Sequence, residues 1–156
     1  RSNVNGGDSR NVLEYLQSTK PVFDTLLLNC GLHDIKTINS CKQVPPEDYR
    51  CNLQNIIQTV HKMNRHVVWL NSTPVNNERH NSLCTSFKRY NEDILYYNEI
   101  SASVMTEHHV PIIDLYEFTA KLGEDIYCDH IHFTKPVRQL QAAYIAGCLD
   151  TMMSIT

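Results

Sequence analysis

The sequence predicts a three-layer α/β/α domain in which helices cover both faces of a parallel sheet. Short apolar runs, typical of buried strands, alternate along the chain with longer segments that carry apolar residues at helical spacing. Apolar residues make up 42% and charged residues 20% of the 156 residues, which is enough apolar chain for one hydrophobic core. No repeat or linker divides the sequence, so we expect residues 1–156 to form a single domain.

Three apolar runs predict the strands of the sheet. Because these runs are unbroken rather than alternating with polar residues, they favour strands that are buried on both faces. They occupy residues 22–30, 65–71 and 110–115, with Leu26-Leu27-Leu28, Val67-Val68-Trp69-Leu70 and Ile112-Ile113 at their centres.

The segments between and around these runs predict helices. Residues 72–82 are rich in Asn and Pro and predict a loop, and residues 116–123 predict one or two helical turns. Strands that alternate with helices in this order predict parallel βαβ units. Ligands of such sheets bind beyond the carboxyl ends of the strands, so the residues that follow each strand are the candidates for function. The longer helices are predicted at residues 9–19, 46–60, 84–106 and 134–152.

Charge and composition argue against several classes of function. The formal net charge is −3, and lysines and arginines form no stripe along the sequence, which argues against nucleic acid as a partner. No run of about 18 apolar residues is present, so we expect no membrane-spanning helix. None of the six cysteines forms a CxxC pair, which argues against zinc-ribbon and thioredoxin-like motifs. Their even number permits disulfides, so the redox compartment stays open.

Residues 129–132, Asp-His-Ile-His, carry the most informative catalytic pattern. An aspartate three residues before a histidine, on the loop that opens the last helix, can reach the imidazole Nδ1–H with its carboxylate. The Nε2 atom of His132 is then free to take a proton from a nucleophile. The alternative is a loop histidine that merely lies near the acid Asp129.

Two glycine-containing segments are candidates for stabilising negative charge. Residues 31–34, Gly-Leu-His-Asp, directly follow the first predicted strand, and Gly31 lets backbone N–H groups point at a developing oxyanion. Gly7 lies in residues 5–9, Asn-Gly-Gly-Asp-Ser, before the first predicted helix. That segment is also explained as a flexible lead-in to the helix, with Asp8 or Ser9 as the N-cap.

Together, these segments resemble three of the four blocks of the SGNH (GDSL-like) hydrolase family. Residues 5–9 resemble the second block, whose glycine, here Gly7, lines the oxyanion hole. Residues 31–34 resemble the third block, normally Gly-x-Asn-Asp, and residues 129–132 resemble the last block, Asp-x-x-His, which supplies the acid and base of the triad. Residues 68–74 are similar to the family's penultimate strand. The resemblance covers essentially the whole chain and implies a flavodoxin-like parallel sheet.

Two features depart from the family pattern. The first block, a strand followed by the nucleophilic serine, has no match, so we expect an SGNH hydrolase fold with its first strand missing, in an N-terminally incomplete domain. Residues 7–9 spell the letters of that block, but no apolar strand precedes them, which makes Ser9 a weak candidate nucleophile. Because the family's first strand lies inside the sheet, we also expect a gap between strands. The second departure is His33 in place of asparagine: it can donate a hydrogen bond, but it can also titrate near neutral pH.

The resemblance implies an esterase that cleaves a small acyl ester, or an acylated carbohydrate, through an acyl-enzyme intermediate. His132 and Asp129 would be the base and the acid of the triad, and Gly7, Gly31 and His33 would surround the oxyanion. The serine would come from sequence outside this chain, in an upstream segment or a companion polypeptide. The alternative is an inactive SGNH-like domain that binds a ligand or a partner protein.

We expect neither a cofactor nor a metal centre. The candidate ligands are His130 and His132 with Asp129, or the adjacent pair His108-His109. Metal sites usually need three or four converging ligands, and no further set has the necessary spacing. Cys128 would be a reactive thiol if His132 activated it, although adjacency in sequence does not supply that geometry.

Overall fold

The computed structural model describes residues 6–154, apart from the side chain of Met153. Helices and strands alternate along most of this range. The strands are β1 (Thr25–Leu28), β2 (Thr37–Ile38), β3 (Cys41–Lys42), β4 (His66–Leu70) and β5 (Ile112–Ile113). The helices are α1 (Ser9–Thr19), α2 (Pro46–Lys62), α3 (Asn77–Leu83), α4 (Asn91–Glu107), α5 (Leu115–Ala120) and α6 (Lys135–Ser154).

The central sheet has the strand order β1–β4–β5, and both pairings are parallel. Leu28 of β1 pairs with Trp69 of β4, which in turn pairs with Ile112 of β5. These are the three strands that the apolar runs predict, each shorter than its run. The expected gap between strands is wrong, because β1 and β4 are hydrogen-bonded neighbours. Within the described residues, the unpaired edges of this sheet are the outer sides of β1 and β5.

The predicted loop at residues 72–82 is wrong in its second half, which forms α3. The side chain of Asn76 caps this helix by accepting a hydrogen bond from the Arg79 N–H at 2.8 Å. Glu78 places a negative charge in the first turn, where it interacts favourably with the helix dipole. A local capping signal therefore outweighs the Asn and Pro content of the segment.

The helix predicted from residue 84 begins at Asn91 instead. Residues 84–90 lie largely outside helical conformation, because Lys88 exchanges two backbone hydrogen bonds with Thr37 of β2, at 2.8 and 3.0 Å. β2 and β3 form a short antiparallel hairpin that the sequence pattern did not predict. Residues 84–90 thus extend this hairpin and do not lengthen α4.

One face of the sheet, here called the closed face, is covered by α1, α2 and α4. Alternate residues of a strand point to opposite faces, so Leu28, Val67 and Trp69 share this one. All three belong to a single buried cluster with apolar residues of the three helices, including Leu16 of α1, Leu53, Ile56 and Ile57 of α2, and Ile94, Tyr97 and Val104 of α4.

The other face, here called the open face, is less completely covered, and α5 and α6 pack against each other outside the closed-face cluster except at Tyr116. Leu27, which alternates with Leu28 in β1, keeps 40% of its surface exposed. Among the described side chains of α6, Val137 and Gln141 alone are buried, and Leu140 is 50% exposed. The predicted burial of both strand faces is confirmed for β4 and wrong for Leu27 of β1.

Candidate active site

The loop of residues 127–133 is a small turn at the carboxyl edge of the sheet. Its ends are joined by an antiparallel bridge between Tyr127 and Phe133, whose rings stack with centroids 5.1 Å apart. The Tyr127 hydroxyl donates a hydrogen bond to the carbonyl oxygen of Pro74, in the segment after β4, at 2.8 Å. The loop is thereby fixed to the edge where ligands of parallel sheets bind.

The Asp129 carboxylate engages His132 as the i, i+3 spacing predicts for this pair. Its Oδ2 lies 2.7 Å from Nδ1 of the imidazole. Its Oδ1 accepts hydrogen bonds from the backbone N–H groups of Ile131 and His132, at 2.8 and 2.7 Å. Because both of its oxygens accept hydrogen bonds, the carboxylate is fixed in place. An ionised carboxylate can only accept, so the His132 tautomer that carries its proton on Nδ1 is the one that forms this hydrogen bond. The Nε2 lone pair is then left to act as a base.

The same hydrogen bonds determine the charge of this pair. The backbone N–H groups of His132 and Ile131, and then the imidazole, hold the pKa of Asp129 well below its usual range. The carboxylate is therefore ionised at neutral pH and can stabilise an imidazolium on His132. Both side chains are open to solvent, His132 with 72% and Asp129 with 45% of its surface exposed.

Gly31, on the turn after β1, occupies a position that suits only glycine. Its φ is +141°, and a Cβ at this position would lie 2.7 Å from Ser72 Oγ and 3.2 Å from the Tyr49 hydroxyl. The turn is closed by the Ile35 N–H, which donates to the Gly31 carbonyl oxygen at 3.0 Å. The Tyr49 hydroxyl donates to the carbonyl oxygen of Cys30 at 2.9 Å. The backbone of this turn therefore packs directly against Ser72 and Tyr49, which only a residue without a side chain allows.

The N-terminal end of α1 is tied to the same turn. Asp8 is the N-cap, and its carboxylate accepts hydrogen bonds from two N–H groups of the first turn. The Ser9 N–H donates to both carboxylate oxygens of Asp34, at 2.9 and 3.2 Å. Gly7 precedes the cap with a φ of +70°. The structure therefore brings together residues 7–9 and residues 31–34, which the sequence analysis assigns to one oxyanion site.

Ser9 lies inside this junction. It is 0% exposed, and its hydroxyl accepts a hydrogen bond from the Asn52 side chain at 2.9 Å. Among residues 6–154, no hydrogen bond joins the Ser9 hydroxyl to an imidazole. A nucleophilic serine needs both a base within reach and access to substrate, so this geometry favours a role for Ser9 in anchoring α1. Burial raises the pKa of its partner Asp34, although the hydrogen bonds from Ser9 counter that effect.

His33 is half-buried on the turn after Gly31. Burial is the largest influence on its pKa and lowers it, and the charges of Lys36 and Arg89 lower it further. The ring is therefore mainly neutral at pH 7 and carries one N–H donor. In that respect it can do what the amide of the family's asparagine does.

Helix α3 holds the loop of residues 127–133 from below. Arg79 donates through Nε to the carbonyl oxygen of Asp129 at 2.6 Å. The next residue, His80, is fully buried, and its ring lies 5.1 Å from the ring of His130. Burial lowers the pKa of His80 to about 4, so it packs as a neutral ring. The two α3 side chains therefore fix the backbone on which the Asp129–His132 pair is built.

Arg89 fixes the backbone of the turn after β1, as Arg79 fixes that of the loop of residues 127–133. Its Nε donates to the carbonyl oxygen of Leu32 at 2.7 Å. The sequence pattern does not indicate these roles, because it predicts a loop at Arg79 and His80 and a helix at Arg89. Asn76 with an acid two residues later was a signal for α3. No local signal indicates that Arg89 meets a carbonyl far away in the sequence.

The candidate metal ligands, cysteines and helices of residues 6–154 give little support to other kinds of site. No group of three or more His, Cys, Asp or Glu side chains in this range could hold a metal ion. Its six cysteines are all free thiols, and Cys128 Sγ donates to the carbonyl oxygens of His132 and Phe133, at 3.3 and 3.4 Å. No helix within the same range is long and apolar enough to cross a membrane.

The architecture matches solved structures of ester hydrolases. A lipase/acylhydrolase from Enterococcus faecalis aligns with 90% of this chain, with a TM-score of 0.69 and 20% identity. A GDSL-like lipase from Bacteroides thetaiotaomicron aligns with 95% of it, with a TM-score of 0.70 and 12% identity. An acetyl xylan esterase aligns with 93%, with a TM-score of 0.72 and 16% identity. This chain has the SGNH hydrolase fold.

The likeness extends over most, but not all, of those structures. The aligned region spans 69% of the Enterococcus protein, 73% of the Bacteroides protein and 77% of the acetyl xylan esterase, so each of them has further chain outside it. No protein-family model and no curated protein matches the sequence. At these identities the likeness shows the fold, and the chemistry has to be argued from the site itself.

Proposed function

We propose that this chain is the part of an acyl-ester hydrolase that contributes the histidine, the aspartate and the oxyanion-binding groups of a Ser-His-Asp site. The observation that carries the proposal is the Asp129–His132 pair, whose Nδ1 and Oδ2 atoms lie 2.7 Å apart beside the carboxyl edge of the sheet. An ionised carboxylate that fixes an imidazole with Nε2 exposed is the arrangement that a general base requires.

The proposed reaction uses His132 twice. It takes the proton of a serine hydroxyl as the serine oxygen attacks the ester carbonyl, and the ionised Asp129 stabilises the imidazolium. His132 then gives this proton to the departing alcohol, which leaves an acyl-serine. Water attacks the acyl group and loses its proton to His132. His132 returns that proton to the serine oxygen as the acyl–serine bond breaks, which releases the carboxylic acid and the free serine.

Gly7, Gly31 and His33 are the groups that we assign to the oxyanion of each tetrahedral intermediate. Both glycines have φ values that favour glycine, and we assign to their backbone N–H groups the role of oxyanion donors. His33 would add a neutral N–H donor, because its lowered pKa keeps the ring uncharged at pH 7. The site would act on an ester that is small or carried on a carbohydrate.

We assign the nucleophilic serine to sequence outside residues 1–156, in an upstream segment or a companion polypeptide. The exposure of His132, at 72%, leaves room for such a segment. The outer edge of β1 has no strand partner within the described residues, and Leu27 beside it is 40% exposed. A strand that paired with this edge would cover Leu27 and would end near residues 29–34.

The experiment compares the 156-residue chain with a form extended by the sequence that precedes Arg1. We expect a fluorophosphonate to label the extended form at a serine outside residues 1–156. His132→Ala should lower its hydrolysis of p-nitrophenyl acetate by at least about 10³-fold, because the serine loses its base. The 156-residue chain alone should hydrolyse this ester little better than free imidazole. His66→Ala, an exposed histidine at the opposite edge of the sheet, is the matched control and should change little.

Two outcomes contradict parts of this proposal. Labelling of Ser9 in the 156-residue chain would mean that residues 5–9 are the nucleophile block. An extended form that binds no fluorophosphonate would favour the alternative of an inactive SGNH-like domain that binds a ligand or a partner.

A further inference from the structure

Residues 84–90 position the side chain of Arg89 against the turn that follows β1. Arg89 is only 4% exposed. Its backbone is fixed by Asn81, whose side chain donates to the Arg89 carbonyl oxygen at 2.9 Å and accepts from the Arg89 N–H at 3.0 Å. Its Nε donates to the carbonyl oxygen of Leu32 at 2.7 Å. Leu32 belongs to the turn that we assign to the oxyanion, so the guanidinium lies directly beside that turn.

The charge of Arg89 is not balanced by a carboxylate of the described residues. Within residues 6–154, no Asp or Glu lies at ion-pair distance from its guanidinium. Burial lowers its pKa to about 10, so the group remains cationic at neutral pH. The ring of Phe87, 4.8 Å away, attracts the cation but does not neutralise it. Buried cations are normally paired, which points to a partner that is bound and not part of the described chain.

Lys36 is a second cation beside the Phe87 ring, and the charge of Arg89 acts on it. Its Nζ lies 4.9 Å from the centroid of the Phe87 ring that Arg89 also contacts. The positive charges of Lys36 and Arg89 both act on the imidazole of His33. The carboxylate that acts on Lys36 is that of Asp8, which is already engaged in an ion pair at the start of α1.

We propose that Arg89 and Lys36 form an anion-binding subsite that receives a carboxylate or phosphate group carried by the ester substrate. This inference rests on the proposed function and adds the charge of the substrate to it. The hydrogen bond to Leu32 uses Nε and leaves the two Nη groups, whose N–H bonds match a pair of carboxylate or phosphate oxygens. The net charge of the chain is −3, so these cations attract an anion locally and not through the overall field.

Kinetics with two matched esters test the subsite in the extended, active form. The substrates are p-nitrophenyl hemisuccinate, whose acyl group ends in a carboxylate, and p-nitrophenyl valerate, a neutral ester of similar length. We expect kcat/KM to favour the hemisuccinate, and Arg89→Met to reduce that preference by about tenfold or more, because a desolvated charge pair is lost. Lys36→Met should reduce it less. Arg50→Met, which removes an exposed arginine paired with Glu107, is the matched control and should leave the preference unchanged.

Binding measured without turnover separates this inference from the proposed function. Succinate and inorganic phosphate are titrated into the His132→Ala protein while the imidazole resonances of His33 are followed by NMR. Saturable shifts that disappear in the double variant with Arg89→Met support the subsite even where no ester is hydrolysed. The tighter binder of the two identifies the anionic group as a carboxylate or a phosphate.

Either of two results overturns the subsite. If Arg89→Met lowers kcat/KM equally for both esters, the arginine only positions the Leu32 turn. If neither succinate nor phosphate shifts the His33 resonances below about 50 mM, the cations do not bind such anions with useful affinity. Thermal unfolding shows whether Arg89→Met is folded. If it is not, Lys36→Met and the titrations with intact Arg89 carry the test.

Discussion

The two faces of the central sheet carry the same kinds of apolar residue but bury them to different degrees. On the closed face, Leu53 of α2 and Trp69 of β4 have no exposed surface. Outside the closed face, Val68 of β4 and Ile113 of β5 are buried, but Leu27 of β1 and Leu140 of α6 keep 40% and 50% of their surface exposed. Burial stabilises a fold by about 25 cal/mol per Å² of apolar surface removed from water. The closed face therefore supplies most of the stability of this chain.

The candidate site follows the same division. The turn after β1 is anchored in the closed side through Asp34, which is 0% exposed and accepts two hydrogen bonds from the Ser9 N–H. His132 lies on a loop where 72% of its side chain remains in solvent. The turn assigned to the oxyanion, which needs only a fixed geometry, is thus anchored in the core. The proposed base, His132, is exposed at the surface. Both features are what we expect if the segment with the nucleophile completes the open face.

Truncation of one leucine on each face should give the largest difference. Leu53→Ala removes a fully buried side chain and should lower the free energy of unfolding by about 2–5 kcal/mol, through lost burial and the cavity left behind. Leu140→Ala removes a half-exposed side chain and should cost less than about 1 kcal/mol. Both leucines lie in helices, so the change in helix propensity is the same. Urea unfolding of the 156-residue chain measures both values.

The same pair of variants sharpens the comparison in the extended protein. If an upstream segment covers the open face, the cost of Leu140→Ala should rise there, while that of Leu53→Ala should stay constant. Equal costs for the two variants in the 156-residue chain would contradict the division into a closed and an open face.

Acid should remove a smaller amount of stability through Asp8, on the closed side. Burial opposes ionisation of this carboxyl, but hydrogen bonds from Arg10, Gln43 and the helix backbone lower its pKa to about 2. A depressed pKa contributes stability that is present above pH 3.8 and is lost as the pH falls through about 2. The difference corresponds to about 2 kcal/mol.

Asp8→Asn isolates that contribution, because asparagine is also a good N-cap and keeps the acceptor for the first turn of α1. At pH 7 the variant should be less stable than the wild type by about 2 kcal/mol, and by pH 2 most of that difference should have vanished. Chemical unfolding between pH 2 and pH 7 tests this. A difference that does not change with pH would show that the ion pair with Arg10 contributes nothing. Asp129→Asn, in the exposed loop, should change the slope of stability with pH much less, because solvent screens its charge.

The local pattern of apolar and polar residues was sufficient to predict much of the fold. The strand centres were predictable because an unbroken apolar run is stable only when it is buried. The start of α2 was predictable because Pro46 and the acids after it suit a first helical turn. The segment before α4 was not predictable. Phe87 fits the helical spacing of the residues after it, yet its ring contacts His80 of α3, the neighbouring Arg89 and the distant Lys36.

The candidate site divides in the same way. The distance between Asp129 and His132 follows from a spacing of three residues within one loop, so the sequence alone predicts it. The contact of Arg89 with the Leu32 carbonyl joins residues that lie 57 apart in the sequence. This contact depends on the β2–β3 hairpin, which no hydrophobic periodicity in the sequence predicts. Contacts between residues that only tertiary packing brings together therefore could not be predicted from the sequence.

The smallest expected effect concerns Arg79, which holds the exposed loop from α3 by donating to the Asp129 carbonyl oxygen at 2.6 Å. Arg79 is exposed, so Arg79→Met should lower the free energy of global unfolding by less than about 1 kcal/mol. It should instead loosen the loop locally. The Cys128 N–H, which donates to the His132 carbonyl oxygen at 2.8 Å, reports that opening. Its hydrogen exchange should accelerate by up to about fivefold, the factor that corresponds to about 1 kcal/mol of local stability. Arg138→Met, an exposed arginine of α6, is the control. Unchanged exchange at Cys128 would mean that the bridge between Tyr127 and Phe133 holds the loop without help from α3.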